Sequence, residues 1–230
     1  MNIRSSTKIA VVSLTTIGSL ILPVSVTSAA ATPPRETTPA VADVASGMAA
    51  LADAPALPAG TVETLIEANQ DVLAARSGVG ADVPGAIGWD LGAGNVVVRL
   101  PFSPAGGLRP ESAVTAQFAP GEDPVVMEVV LTERSDTSGR VETWVNGTKI
   151  VDEVVSDSSA PVKQAKGAKW DRFVQCLNNA GVPAWIVTGI SLACSVACAA
   201  TLGVGCAVCL GAAAAGFSGT VSFCIAWARG

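Results

Sequence analysis

Residues 194–209 read CSVACAATLGVGCAVC and contain four of the six cysteines of this 230-residue chain. They belong to a longer stretch, 173–228, that holds all six cysteines and no Asp, Glu, Lys or Arg. This stretch has 13 Ala and 7 Gly, so it lacks the large side chains that normally fill a small core. Cross-links usually supply the missing stability in segments of this size. The sequence therefore predicts a small all-α, disulfide-stapled C-terminal domain over 170–230.

The cysteine spacing predicts two helical pairs. Cys194 and Cys198 are one helical turn apart, and so are Cys206 and Cys209. The glycine-containing residues 199–205 between the pairs can reverse the chain, which would bring the two helices together in antiparallel orientation. Six cysteines allow fifteen pairings. The preferred one joins Cys198 to Cys206, Cys194 to Cys209 and Cys176 to Cys224.

Two other uses of these thiols were considered. A four-thiolate zinc site usually lies among polar or basic neighbours, whereas Ala, Val and Leu surround these cysteines. A redox dithiol at CAVC, 206–209, would need a nearby positive charge to lower the thiol pKa. Neither context is present in the sequence, so we predict no metal and no cofactor.

The chain contains no His, which excludes Ser-His-Asp and Cys-His catalysis and imidazole acid-base chemistry. The carboxylates of 61–155 are scattered, and its glycines form no phosphate-binding loop. We therefore expect no catalytic residues, no enzymatic activity and no nucleic-acid partner.

Residues 1–30 have the form of a secretory signal peptide, with Arg4 and Lys8 before an apolar run and small residues at its end. Cleavage is expected after Ala30 or Ala31, and an uncleaved N-terminal anchor is the alternative. Secretion would place the cysteines in an oxidising compartment.

Three segments follow the signal peptide. Residues 31–60 are rich in Pro and Ala and predict a linker with at most a short helix around 41–52. Residues 61–155 predict an acidic α+β domain, which begins with a helix at Thr61 whose Thr64 and Glu67 fit a capping box. Residues 156–169 are polar, small and basic, as in exposed linkers that proteases cut.

Within 61–155 the apolar period changes from helical to alternating. This pattern predicts an antiparallel β-meander, in which Asn146-Gly147 forms a type I′ hairpin turn. A second turn is expected at 135–139, and Trp89 and Trp144 are expected in the core. The predicted strands are 95–100, 113–118, 125–133, 140–145 and 148–155.

Charge divides the chain into two halves. Residues 31–161 carry 7 basic and 18 acidic side chains, a net charge of −11, whereas 162–230 carry +4. An acidic half joined to a cationic, apolar half indicates a domain that shields an attached peptide, because each half weakens the attraction of the other to further partners. Six residues of the second half are suited to attract it to anionic membranes. They are Lys163, Lys166, Lys169, Arg172, Trp185 and Trp227, and core packing is the alternative for both Trp residues.

This order of segments resembles the precursors of halocin C8-type bacteriocins. The run from Cys194 through Cys198 to Cys206 is similar to the C-x3-C-x7-C core of that peptide, although the halocin peptide has more cysteines and its precursor a twin-Arg signal. The resemblance implies a secreted bacterial antimicrobial precursor, a processing protease, a target-cell membrane as partner, and an N-terminal part that acts as immunity protein.

Two other functions fit the sequence. In the first, 184–202 and 206–228 form a transmembrane helical hairpin of an exported integral membrane protein, although Lys163, Lys166, Lys169 and Arg172 would then oppose the positive-inside tendency. In the second, the chain remains uncut as a disulfide-bonded secreted module that binds a protein partner through an apolar face.

Overall fold

The computed structural model describes residues 51, 53–158, 168–201, 208, 209 and 224, and only the backbone at 168–171, 173 and 174. Contacts divide the chain into Met1–Glu36 and Thr37–Gly230, and every described residue belongs to the second unit. Several predictions from sequence lie outside the described residues. They concern the signal peptide 1–30 with cleavage at Ala30 or Ala31, most of the linker 31–60, and Lys163, Lys166, Cys206 and Trp227.

Six antiparallel strands form one sheet in simple chain order, from β1 to β6. Helix α1 precedes the sheet, a short 3-10 helix at Val83–Gly85 leads into it, and helices α2 and α3 follow it. The bounds are α1 Ala59–Ala68, β1 Ile87–Gly92, β2 Asn95–Pro101, β3 Ala113–Phe118, β4 Val125–Ser135, β5 Ser138–Val145, β6 Thr148–Ser156, α2 Ala168–Asn179 and α3 Ala184–Ala200. The predicted helix and antiparallel meander are thereby confirmed, and helices follow them near the C-terminus.

The turn between β5 and β6 has the predicted type I′ geometry. Asn146 and Gly147 have φ angles of 47° and 79°, in the left-handed region that Asn and Gly tolerate best. The Asn146 side chain also accepts a hydrogen bond of 2.8 Å from the backbone N–H of Val126. The turn therefore joins its own hairpin to β4.

Strand β1 was not predicted from the sequence. Gly88 and Gly92 weaken its pattern, and its outer edge is paired with the chain just before α1. The N–H of Leu57 donates to the carbonyl of Gly88, and the N–H of Asp90 donates to that of Pro55, both at 2.9 Å. The end of the predicted linker 31–60 thus covers the outer edge of β1.

Helix α1 begins earlier than predicted, and the proposed capping box is wrong. Pro58 occupies the N-cap position and no side chain caps the helix. Thr64 lies inside the helix, where its hydroxyl donates to the carbonyl of Gly60 at 2.8 Å. The helix can start at Ala59 because the N-cap contributes only its carbonyl to the first turn, so the missing N–H of Pro58 costs nothing, and that carbonyl accepts from the N–H of Val62 at 3.1 Å.

The sheet has an apolar core on each face. On one face, α1 and the chain after it pack against β2 to β5, and Trp144 belongs to this core at 8% exposure. On the other face, α3 packs against β4, β5 and β6. Trp89 is partly buried against this second core, so both predicted core tryptophans pack where expected. The sheet is therefore the middle layer between an N-terminal and a C-terminal helical layer.

Candidate functional site

Two of the three predicted disulfides are confirmed. Cys176 is bonded to Cys224 and Cys194 to Cys209, with Cα atoms 5.4 and 5.3 Å apart. Cys198 is also disulfide-bonded, while the predicted bridge from Cys198 to Cys206 includes a residue outside the described ranges. The bonded cysteines of both bridges are buried. They link α2 to Cys224 and α3 to Cys209.

The contact between α3 and the sheet is built on two glycines. The six-membered ring of Trp185 lies directly over Gly139 of β5, so that a Cβ at Gly139 would overlap the ring. A Cβ added at Gly189 of α3 would in turn fall 2.6 Å from Cγ2 of Val141. At each glycine, the space that a side chain would occupy is filled by a side chain of the opposite element. We call these four residues, Gly139, Val141, Trp185 and Gly189, the docking contact.

A carboxylate holds the start of α3. Asp157, just after β6, accepts a hydrogen bond of 2.8 Å from the backbone N–H of Trp185. This N–H is one of the unpaired donors of a helix N-terminus, where negative charge is favourable. Pro183 at the N-cap has no side chain that could do the same. The sheet domain thus contributes both the packing surface and the cap of α3.

Of the six residues predicted to attract the chain to a membrane, only Arg172 and Trp185 have side chains in the described part of the structure, and these two differ in exposure. Trp185 is fully buried at 0% exposure in the docking contact, whereas Arg172 is exposed on α2. Lys169 also belongs to α2. In the intact chain Trp185 therefore packs in the core, as the alternative interpretation of this residue predicted.

The hydroxyl groups of Ser191 and Ser195 in α3 are hydrogen-bonded within the helix. Ser191 donates to the carbonyl of Val187 at 2.7 Å, and Ser195 donates to that of Ser191 at 2.6 Å. Such bonds to a preceding turn let Ser lie in an apolar environment without an outside partner. These two hydroxyl groups therefore need no hydrogen-bond partner from whatever covers the helix.

Four buried polar atoms on this side of the sheet and on α3 have no partner in the described part of the chain. Thr143 Oγ1 on β5 and Trp185 Nε1 are two of them, with Thr115 Oγ1 and Gln117 Oε1 on β3. Each such atom costs about 1–3 kcal/mol relative to a paired one. The unpaired atoms of Thr143 and Trp185 therefore oppose the packing of α3 on β5.

Arg99 lies on the same face of the sheet, opposite Thr115 in the register of β2 and β3. It donates to the carbonyl of Pro110 at 2.8 Å and is 3% exposed. Burial lowers the pKa of Arg99 to about 10, while the charge of Glu111 acts in the opposite direction. The guanidinium therefore remains charged at neutral pH.

Within the described ranges, no group of His, Cys, Asp or Glu side chains is arranged to hold a metal ion. The helices described there include none with the length and hydropathy needed to cross a bilayer.

No protein-family model, curated protein or solved structure matches this chain.

Sequence reasoning identified the cysteines but missed the docking contact. Gly139 was assigned to a turn, Gly189 lies in the middle of an apolar helix, and Asp157 was placed in a linker. Their importance comes from partners that are distant in sequence, since Asp157 and Trp185 are 28 residues apart. No local pattern marks these positions.

Proposed function

We propose that the chain is a secreted, bacteriocin-like antimicrobial precursor. Its cationic, disulfide-bonded C-terminal peptide acts on target-cell membranes after a protease cuts the linker 156–169. The sheet domain covers the peptide until then and is a candidate immunity partner of the released peptide. The disulfides support secretion, because such bonds persist mainly in exported proteins.

The observation that carries this proposal is the burial of an uncharged helix under an acidic domain. Trp185, Ile186, Gly189 and Ala193 of α3 are all buried. Separation of the two parts would expose this apolar face, and exposed apolar patches of that kind bind membranes or proteins. A cover is the simplest role for a domain that removes such a face from water.

The internal hydrogen bonds of α3 agree with a lipid target. In an acyl environment a polar group without a partner costs several kcal/mol. Ser191 and Ser195 avoid that cost through their bonds to the helix backbone. The basic residues of 163–172 would supply attraction to anionic headgroups, at about 1 kcal/mol for each Lys or Arg near the surface.

Vesicle leakage tests the proposal. A site-specific protease sequence is placed within 159–167, the oxidised chain is cut, and the C-terminal fragment is isolated without reduction. We expect the fragment to release dye from phosphatidylglycerol vesicles, whereas the uncut chain does not, because the sheet covers α3.

Two controls define the result. Replacement of Lys163, Lys166, Lys169 and Arg172 by Gln should reduce leakage from the anionic vesicles, and phosphatidylcholine vesicles should leak less than anionic ones. A fragment with intact disulfides that leaves anionic vesicles sealed, and related bacteria growing, would refute the membrane activity.

A second function is supported by the same contact. Because Trp185 shares one core with the sheet, the chain could also act uncut, as a disulfide-bonded secreted module that binds a protein partner. The intact mass of the product in culture fluid distinguishes the two functions. If the chain is a precursor, we expect a fragment that begins within 156–169, and if it is a binding module, we expect an uncut chain.

A further inference from the structure

Helix α3 is buried on two opposite sides. Gly189 faces Val141 of the sheet. At about 100° per residue, Cys194 and Cys198 lie roughly 140° and 180° around the helix from Gly189. Cys194 is bonded to Cys209, and Cys198 is bonded as well. The helix therefore turns its bridging cysteines away from the sheet while its opposite side is held in the docking contact.

The C-terminal segment offers few features of its own that would fix this rotation of α3. The stretch 173–228 has no charged side chain and consists largely of small residues. Without charges, and with few large side chains, several rotations of such a helix differ little in packing energy. The correct rotation is instead specified by the sheet, through Gly139, Val141 and the carboxylate of Asp157.

We propose that the sheet domain is a folding template that selects the disulfide pairing of the C-terminal segment. Once Trp185 lies over Gly139, the rotation of α3 is fixed and Cys194 points to the layer that contains Cys209. Cys176 and Leu177 of α2 belong to the same apolar core, and α2 contacts α3, so the sheet positions α2 through α3. The pairing is thus chosen by packing before the bonds form, among the fifteen that six cysteines allow.

The sheet domain takes no part in the electron transfer. For each bridge, two protein thiols lose two electrons and two protons to one small-molecule disulfide such as oxidised glutathione, which becomes two thiols. The template only determines which thiols meet. This inference does not depend on membrane activity, since the pairing is expected whether the chain is later cut or not.

Oxidative refolding of the full chain tests the inference. Reduced, unfolded protein is refolded in a mixture of reduced and oxidised glutathione, and the bridges are assigned by peptide mapping. The Gly139→Leu variant fills the position of the Trp185 ring without changing the cysteine segment. We expect its yield of Cys176–Cys224 together with Cys194–Cys209 to fall several-fold, towards the small share of random pairing.

Gly106→Leu is the matched control, because a Cβ at the exposed Gly106 meets no atom within 4 Å. It should regain native pairing at the wild-type yield. Since Gly139→Leu can also disturb β5, a second blocking variant, Gly189→Leu, obstructs the same contact from α3 and leaves the strands unchanged. Loss of native pairing in both blocking variants supports the template, and wild-type yield in either one overturns it.

Discussion

At the scale of single residues, the docking contact combines close packing with polar atoms that have no partner. Trp185 and Gly139 fit closely, yet Thr143 on the same strand has a buried hydroxyl that finds no partner among the described residues. An unpaired buried hydroxyl opposes stability even where the surrounding packing is good.

Replacement of Thr143 by Val should therefore stabilise the chain. The side chains have the same shape, and the change removes the desolvation cost of the hydroxyl, so we expect a gain of about 1 kcal/mol in the free energy of unfolding. Denaturant unfolding of the oxidised protein measures this gain.

Thr148→Val is the control for this prediction, because Thr148 is exposed on β6. Its effect should stay within about 0.5 kcal/mol of zero. A destabilised Thr143→Val protein would mean that the hydroxyl has a partner after all.

At the scale of elements, the β5–β6 hairpin carries a network of ion pairs on the face opposite α3. Arg140 donates two hydrogen bonds to Asp152, each of 2.8 Å, and Lys149 reaches both Glu142 and Asp152. The hydrogen bonds from Arg140, followed by the bond from Lys149, lower the pKa of Asp152 below its ordinary value. The hairpin is thus joined by its turn and by these pairs.

The lowered pKa predicts how stability depends on pH. Asp152 favours folding while it is ionised, so its contribution is complete above the ordinary pKa of Asp, about 3.9. The contribution is lost as pH falls through the lower pKa of the folded state. Asp152→Asn should therefore be less stable than wild type at neutral pH, and the difference should shrink in acid.

Denaturant unfolding across the acid range measures this difference, with Asp71→Asn as the control at an exposed turn position. The control should show a smaller change with pH than Asp152→Asn. A difference between wild type and Asp152→Asn that stays constant into strong acid would show that Asp152 acts through its shape and not its charge.

Local sequence chemistry accounts for some elements and not for others. The β5–β6 hairpin was predicted because Asn146 and Gly147 determine their own turn. Strand β1 was missed because its glycines weaken the alternating pattern, and its pairing with the chain at Leu57 involves partners distant in sequence. The capping box failed because Pro58, ahead of the expected start, determines where α1 begins.

At the scale of the whole molecule, the sequence predicted the parts but not their association. An antiparallel arrangement of the two cysteine pairs favoured Cys194–Cys209, and Cys176–Cys224 followed as the remaining pair; both are observed. The packing of α3 on the sheet has no counterpart in local pattern. It depends on the contact between Gly139 in β5 and Trp185 in α3. The sequence alone does not indicate that these two residues are in contact.

The two observed bridges should contribute unequally to stability. The bridge from Cys176 to Cys224 spans a sequence separation of 48 and that from Cys194 to Cys209 spans 15. Loop-closure entropy then predicts losses of about 4 and about 3 kcal/mol in the free energy of unfolding when each pair is changed to Ala.

Denaturant unfolding of the two double variants under non-reducing conditions tests this order, and each serves as the control for the other. The order would be reversed if removal of the shorter bridge also released α3 from the sheet. Near-UV circular dichroism of the tryptophans reports that event.

The position of Asp157 gives the site of scission a consequence for the product. A cut before this residue would leave the carboxylate on the liberated fragment, where it could still accept a hydrogen bond from the N–H of Trp185. A cut after it would leave the acceptor behind, and α3 of the fragment would then lack a partner for that N–H. The protease that trims the chain would thereby also decide how readily the freed helix unwinds at its leading end.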